Sequence, residues 1–217
     1  MQVAILIFEG LTVLDAIGPY EVLRSVPGWE VRFVGLHQGS VRSDSGSLGL
    51  IADHSIGDVS SADIVLVPGG EGNRPLLDDE RLLGWLREID RGTRWTTSVC
   101  TGSLVLGAAG LLEGKRATSH WLFQERLREY GAQPSSDRVV EDGKLVTAAG
   151  VSSGIDMALH LVNRALGPQA AQAIQLAIEY DPQPPFDAGS PTKAPEQIVE
   201  LVTRAAARGD PWLGARS

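Results

Sequence analysis

Cysteine and basic residues are both scarce in this sequence. Cys100 is the only cysteine among 217 residues, so no internal disulfide can form, which excludes disulfide-stabilised secreted scaffolds and favours a reducing compartment such as the cytoplasm. Lys and Arg number 19 against 27 Asp and Glu, and the basic residues form no run. The net charge of -8 repels phosphate backbones, so the sequence predicts no nucleic-acid partner.

Long apolar runs are missing as well. The N-terminal run from Val3 to Phe8 is followed at once by Glu9, whereas a membrane-spanning helix needs about 20 apolar residues. No basic residue precedes this run, so it does not resemble a secretion signal. We therefore expect a cytoplasmic protein without a membrane segment. No group of His, Cys and Asp has the spacing of a metal site, and neither a metal nor another cofactor is predicted.

The sequence alternates short apolar runs with amphipathic stretches, a pattern typical of a parallel β-sheet covered by helices. One domain is predicted over residues 1–217, with 181–217 as a C-terminal arm and helix. Strands are predicted at 3–8, 31–36, 63–67, 95–99 and 116–119, with hairpins inside 40–56 and 138–146. Helices are predicted at 14–26, 78–91, 102–112, 121–130, 153–166, 168–180 and 195–207.

Cys100 lies where a predicted strand meets a predicted helix. Residues 95–99 precede it, and Thr101 and Gly102 lead into an apolar stretch that begins with Leu104. A thiol on such a turn resembles a nucleophile elbow, in which helix amides and the helix dipole favour a thiolate near neutral pH. The alternative is a buried structural cysteine. The Cys-Thr-Gly sequence between strand and helix favours the nucleophile.

Asp15 follows the first predicted strand and lies near the start of the first predicted helix. One interpretation is a helix N-cap, because a carboxylate accepts hydrogen bonds from free helix amides. The other is an acid beside Cys100, whose pKa is raised by burial and by the neighbouring thiolate, so that it can deliver a proton. The two interpretations are compatible at the level of the sequence.

A glycine-rich segment, Pro68-Gly69-Gly70-Glu71-Gly72, follows the third main strand. It contains no P-loop lysine, which argues against a phosphate cradle. It is either a tight turn or a source of a backbone amide, from Gly70 or Glu71, that faces the sulfur. Together with the amide of Thr101, such a group would form an anion hole.

His120 follows a short predicted strand, and it is either a structural residue or the base that orients Cys100. The carboxyl ends of parallel strands meet at one edge of a sheet. Asp15, the glycine-rich segment and Cys100 each follow such a strand. We therefore expect them to converge on a single crevice.

These motifs resemble the ThiJ/PfpI branch of the class I glutamine amidotransferase-like superfamily. The resemblance covers residues 1 to about 192 and includes the segment Tyr180-Asp181-Pro182-Gln183-Pro184-Pro185-Phe186, which is shared by isonitrile hydratases and by sensor domains of some AraC-type regulators. Within this branch the sequence is most similar to the isonitrile hydratases, because it has an Asp at position 15 and a Thr directly after the cysteine. The resemblance implies an α/β fold, a flavodoxin-like three-layer sandwich with a mainly parallel sheet, helices on both faces and a cysteine nucleophile elbow.

The resemblance also implies a lyase activity, the hydration of an isocyanide to an N-substituted formamide. In this implied mechanism Cys100 is the nucleophile that forms a thioimidate, Asp15 is the acid and base, and Thr101 supports both residues. The reaction requires no cofactor. Residues that we expect to line the pocket for the substituent are Ile17, Trp121 and Val151. A homodimer is expected, because the Pro-rich arm and the last helix have no place on the predicted main sheet.

Two other functions remain open at this point. One is a glyoxalase-like or deglycase-like enzyme of the same fold, which activity on methylglyoxal without activity on isocyanides would favour. The other is a non-enzymatic sensor of small molecules or redox state, in which Cys100 is the site of oxidation. Turnover itself separates the sensor from the enzymes.

Overall fold

The computed structural model describes residues 1–208. The chain divides into two compact units, Met1–Glu179 and a second that begins at Tyr180. The last part of the predicted arm, residues 209–217, lies outside the described residues.

The first unit carries the strands and most of the helices. Its strands are β1 (Gln2–Leu6), β2 (Glu30–Gly35), β3 (Gly39–Arg42), β4 (Gly49–Ala52), β5 (His54–Ser55), β6 (Ile64–Val67), β7 (Trp95–Val99), β8 (Arg116–Ala117), β9 (Gln133–Pro134), β10 (Val139–Asp142) and β11 (Leu145–Ala148). Its helices are α1 (Val13–Leu23), α2 (Glu80–Asp90), α3 (Gly102–Ala108), α4 (Ser153–Leu166), α5 (Pro168–Ala177) and the 3-10 helices Glu71–Asp78 and Gln124–Tyr130.

One seven-stranded sheet forms the centre of this unit, in the order β10-β11-β7-β6-β1-β2-β5. Every pairing in it is parallel except that of β10 with β11. β6 and β7 are buried along their whole length, as expected for parallel strands covered on both faces. Helix α1 packs against α4, whereas α2 packs against α3. The predicted α/β class with a mainly parallel sheet is confirmed.

The segment after His120 differs from its predicted form. A helix was expected over 121–130, but the structure has turns followed by the 3-10 helix Gln124–Tyr130. Leu127 is the buried residue of that 3-10 helix, so one apolar anchor holds the segment and a long amphipathic face is not required. Both predicted hairpins are present, as the antiparallel pairs β3–β4 and β10–β11.

The described part of the second unit, residues 180–208, begins with an irregular Pro-rich stretch and ends in α6 (Glu196–Arg208). The predicted helix at 195–207 is therefore confirmed to within one residue. Large apolar side chains are exposed in this unit, among them Phe186 and Leu201.

Candidate active site

The residues predicted to carry chemistry follow adjacent strands of the sheet. Asp15 comes after β1, Gly69 and Gly70 come after β6, and Cys100 comes after β7. Since β1, β6 and β7 are neighbours, the carboxyl ends of these strands meet at one edge. Hydrogen bonds join Gly69 to Asp15 and Gly70 to Thr101, so the structure brings these segments together.

Cys100 has the backbone conformation of a sharp strand-to-helix turn. Its φ angle is 58°, a left-handed value that is uncommon for a residue with a Cβ and costs on the order of 1 kcal/mol. The surrounding structure holds it there through both of its backbone groups. Its amide donates to the carbonyls of Ala148 and Ala149 at 3.0 and 2.7 Å, and its carbonyl accepts from Ser103 and Ser119. The predicted nucleophile-elbow geometry is therefore present.

Asp15 lies in the first turn of α1 and is completely buried. The N-cap of this helix is Thr12, so the N-cap interpretation of Asp15 is wrong. Its Oδ2 accepts a hydrogen bond from the amide of Gly69 at 2.9 Å. Its Oδ1 is buried without a hydrogen-bond partner among residues 1–208. The thiol of Cys100 lies close enough to affect the pKa of this carboxyl.

Gly69 holds the first turn of α1 from two directions. Its amide donates to Asp15, and its carbonyl accepts from the amide of Thr12 at 2.9 Å. A Cβ at this position would meet the amide nitrogen and Oγ1 of Thr101 at 2.6 Å each and the Cβ of Cys100 at 3.0 Å. Only glycine lets the segment after β6 approach Cys100 and Thr101 this closely.

We expect Gly69→Ala to lower turnover of the predicted isocyanide substrate by roughly 100-fold, because the added Cβ must push Asp15 and Cys100 apart. Steady-state kinetics on the folded variant measure the loss. Gly84→Ala is the matched control, since a Cβ at Gly84 in α2 would meet only the tip of Arg87 at 3.9 Å. Wild-type kinetics in Gly69→Ala would contradict the predicted close packing.

Thr101 connects the glycine turn to the sulfur. Its Oγ1 accepts a hydrogen bond from the amide of Gly70 at 3.1 Å, and both its hydroxyl and its backbone amide lower the pKa of the Cys100 thiol. The amide of Gly70 is thus directed to Thr101 rather than to the sulfur, and it acts on Cys100 through the hydroxyl. Glu71 begins a 3-10 helix with its side chain exposed. The anion hole formed with the amide of Thr101 remains a prediction.

Burial controls the protonation of the pair formed by Asp15 and Cys100. It raises the pKa of Asp15 from 3.8 to about 7, against the hydrogen bonds from Gly69 and Cys100, and the charge of Asp44 adds to the rise. Burial, followed by the charge of Asp15, also raises the pKa of the Cys100 thiol, and the hydrogen bonds of Thr101 oppose it. Burial and the charge of Asp15 therefore oppose the thiolate that the elbow predicts near neutral pH. The pair instead competes for a proton inside the protein.

Comparison with known proteins agrees with this geometry. Residues 1–164 match the DJ-1/PfpI family. This chain belongs to the DJ-1/PfpI family.

Relatives within this family resemble the chain over most of its length. An isonitrile hydratase of Pseudomonas putida is 46% identical over 207 residues, which cover 95% of this chain and 90% of that protein. The crystal structure of a ThiJ/PfpI family protein from Pseudomonas syringae matches with a TM-score of 0.92 at 36% identity, covering 95% of this chain and 86% of that one. The HTH-type transcriptional regulator CdhR of Pseudomonas aeruginosa is 31% identical over 173 residues, and the match covers only 51% of its length. The predicted flavodoxin-like three-layer sandwich is confirmed.

His120 is buried beside the site. Burial lowers its pKa to about 4, so the imidazole is neutral at physiological pH. Its Nδ1 accepts from the amide of Leu122 at 3.4 Å, and its ring lies 5.9 and 6.2 Å from the rings of Trp121 and Phe123. A neutral imidazole is chemically able to act as a base, and the role of His120 in orienting Cys100 remains a prediction.

The residues expected to line a substrate pocket lie on three segments around the site. Ile17 follows Asp15 by two positions on α1, Trp121 is adjacent to His120, and Val151 lies two residues before the start of α4. Each of these three side chains is half-buried. Their contact with a substituent remains a prediction. No group of three or more His, Cys, Asp or Glu among residues 1–208 is arranged to hold a metal ion.

Sequence analysis missed three polar residues that hold the elbow. The side-chain amide of Asn73 donates to the carbonyl of Thr101 at 3.1 Å, and Ser103 and Ser119 donate to the carbonyl of Cys100. Asn73 follows the glycine-rich segment by one residue, and Ser119 precedes His120. Their proximity to the motifs was the only signal, since a contact with a backbone carbonyl leaves no pattern in the sequence.

Proposed function

We propose that this chain is an isonitrile hydratase, a hydro-lyase that converts an isocyanide and water into an N-substituted formamide. Similarity to the isonitrile hydratase of Pseudomonas putida over nearly the whole length of both chains supports this proposal. The observation that carries it is the buried pair of Asp15 and Cys100, in which a carboxyl with a pKa of about 7 lies beside the thiol.

Addition of a thiol to an isocyanide requires a nucleophile and a proton at the same carbon. The sulfur of Cys100 bonds to the terminal carbon of R–N≡C, and the proton shared with Asp15 moves to that carbon. The product is a thioimidate, R–N=CH–S, attached to Cys100. One proton between the two residues is sufficient for this step.

Water then releases the product. Asp15, now ionised, removes a proton from water as the water oxygen bonds to the thioimidate carbon, and this proton passes to the nitrogen. Collapse of the resulting adduct breaks the C–S bond, forms the formamide carbonyl and returns the hydroxyl proton to the pair of Asp15 and Cys100. The hydrogen bonds from Thr101 stabilise the sulfur as it leaves. The overall reaction consumes one water and no cofactor.

The pKa of Asp15 determines the expected pH dependence. Because burial holds the proton of this carboxyl up to a pKa of about 7 and raises the pKa of the Cys100 thiol above its ordinary value, the pair carries two protons below that pH and the single shared proton that addition uses above it. We expect kcat/KM to rise roughly tenfold per pH unit below about pH 6 and to level off above about pH 7. A profile that is flat at acidic pH and falls above neutral pH would instead indicate that the form with two protons is active.

The proposed reaction is tested by incubating the reduced protein with cyclohexyl isocyanide and, in parallel, with methylglyoxal. Formation of N-cyclohexylformamide, followed by chromatography and mass spectrometry, is the expected result. Turnover of methylglyoxal alone would favour a glyoxalase-like or deglycase-like enzyme. Turnover of neither by folded protein would favour a sensor in which Cys100 is oxidised.

We further propose that the protein acts as a cytoplasmic homodimer with the single-domain organisation predicted above. Residues 166–178 contain no charged side chain, yet Leu166 and Leu176 are 53% and 81% exposed, and depletion of charge is typical of interfaces. No helix among residues 1–208 is long and apolar enough to cross a membrane. Sedimentation velocity tests the dimer, and a monomer at micromolar concentration would contradict it.

A further inference from the structure

The peptide unit between Cys100 and Thr101 is held by two serine hydroxyls. The carbonyl oxygen of Cys100 accepts from Oγ of Ser103 at 3.2 Å and from Oγ of Ser119 at 3.1 Å. Ser103 lies on α3, whereas Ser119 comes from the segment after β8, and both are buried. The hydrogen-bond ladder of α3 begins one residue later, with the carbonyl of Thr101 accepting from Leu104. Without the serines this buried carbonyl would lose both of these hydrogen bonds, and an unpaired buried carbonyl is destabilising.

The same peptide unit carries the amide that contacts the sulfur. A peptide bond is planar and trans, so the N–H of Thr101 points away from the C=O of Cys100. That N–H faces the thiol closely enough to lower the pKa of Cys100. Any rotation of the plane that moves the carbonyl also turns the amide away from the sulfur.

The conformation of Cys100 shows that this plane needs support. A φ angle of 58° is strained for a residue with a Cβ, and such strain persists only where neighbouring groups fix it. The amide of Cys100 is bound by the carbonyls of Ala148 and Ala149, which fixes the side of the residue toward β7. On the side toward α3, the two serine hydroxyls bind the carbonyl of Cys100, and Asn73 binds the carbonyl of the next residue, Thr101.

We propose that Ser119 is a positioning residue, which by donating to the carbonyl of Cys100 together with Ser103 keeps the N–H of Thr101 directed at the sulfur. Ser103 is three residues from Cys100 and moves with α3, whereas Ser119 binds the elbow from a separate segment. Ser119 is therefore the group that fixes the peptide plane relative to the rest of the site. This inference rests on the proposed function only in that Cys100 reacts as a nucleophile.

The rate of Cys100 alkylation by iodoacetamide, measured across pH by mass spectrometry, tests this role without any isocyanide. The reaction reports a single site because the sequence contains no other cysteine. Ser119→Ala is expected to raise the apparent pKa of the thiol by about one unit, which corresponds to roughly tenfold slower alkylation near neutral pH. Ser119→Thr, which retains a hydroxyl, is expected to restore most of the rate.

Ser98→Ala is the matched control. Ser98 is buried in β7, two residues from Cys100, and its hydroxyl has no hydrogen-bond partner within residues 1–208. Loss of this hydroxyl removes no hydrogen bond, so alkylation in Ser98→Ala is expected to match that of the wild type. The control separates the effect of the Ser119 hydrogen bond from that of removing any buried hydroxyl near the elbow.

A folded Ser119→Ala protein that is alkylated with the wild-type pH dependence would overturn the proposal. If that variant does not fold, Ser103→Ala replaces it, because it removes the other hydroxyl from the same carbonyl and the same unchanged titration would count against the role. Failure of the wild type to hydrate isocyanides, combined with the expected alkylation shift, would reject the proposed reaction and leave the positioning role standing.

Discussion

Asp15→Asn is expected to lower isocyanide hydration by roughly 10²–10⁴-fold, the usual contribution of a general acid and base. Asn retains an oxygen that can accept from the amide of Gly69, as Oδ2 of Asp15 does at 2.9 Å, so the position of α1 is preserved. Asn neither delivers a proton to the isocyanide carbon nor takes one from water. Formamide production at saturating isocyanide measures the effect, and near-wild-type turnover in this variant would remove Asp15 from the mechanism.

The same substitution is expected to stabilise the protein at alkaline pH. The folded state holds the proton of Asp15 up to a pKa of about 7, against an ordinary value of 3.8, so it binds more protons than the unfolded chain between these values. Stability from this group is therefore lost as pH rises from about 4 to 7. Above that range Asp15→Asn removes a buried charge and is expected to gain roughly 2–4 kcal/mol in the free energy of unfolding.

Asp58→Asn provides the contrast for this measurement. Hydrogen bonds from Ser55 and Gln38 lower the pKa of Asp58, so its charge stabilises the fold and is lost as pH falls. We expect Asp58→Asn to reduce stability at neutral pH and to leave hydration unchanged. Chemical denaturation at about pH 5 and pH 8 compares the variants, and an Asp15→Asn protein no more stable than the wild type at the higher pH would show that the carboxyl carries no burial penalty.

Cys100→Ala is expected to reduce hydration by about 10⁴-fold or more, because no other residue can form the thioimidate. Alanine also has a Cβ, so it faces the same left-handed backbone strain as Cys100 at φ 58°, and the fold is expected to persist. Formamide formation is measured for this variant beside Ser98→Ala, which loses a side-chain heteroatom in the adjoining strand. Residual turnover in Cys100→Ala well above the uncatalysed rate would indicate direct attack by water.

The central sheet was predictable because its strands are buried on both faces. β6 and β7 are short apolar or small-residue runs that end at a turn, and their short length together with the turns that follow them identifies such runs as strands. The 3-10 helix Glu71–Asp78 was not predicted. It contains Pro75, and its form depends on the packing of Asn73 against Thr101 rather than on a helical repeat.

The convergence of Asp15 and Cys100 followed from strand order, since residues after adjacent parallel strands meet at one edge. The protonation states of these two residues could not be predicted in the same way, because they depend on burial that the sequence does not specify. Helix amides near Cys100 predicted a thiolate, whereas exclusion of water and the charge of Asp15 favour the thiol. The supporting role of the Ser119 hydroxyl could not be predicted from the sequence either, because its partner is a backbone carbonyl 19 residues earlier.

The most direct test of the account is peptide mapping of wild-type protein, quenched with acid within milliseconds to seconds of mixing with a limiting amount of cyclohexyl isocyanide. The account predicts that the peptide containing Cys100 transiently gains the mass of one isocyanide molecule and loses it as N-cyclohexylformamide accumulates. If formamide accumulated while the thiol of Cys100 remained unmodified at every time point, the covalent mechanism would be contradicted.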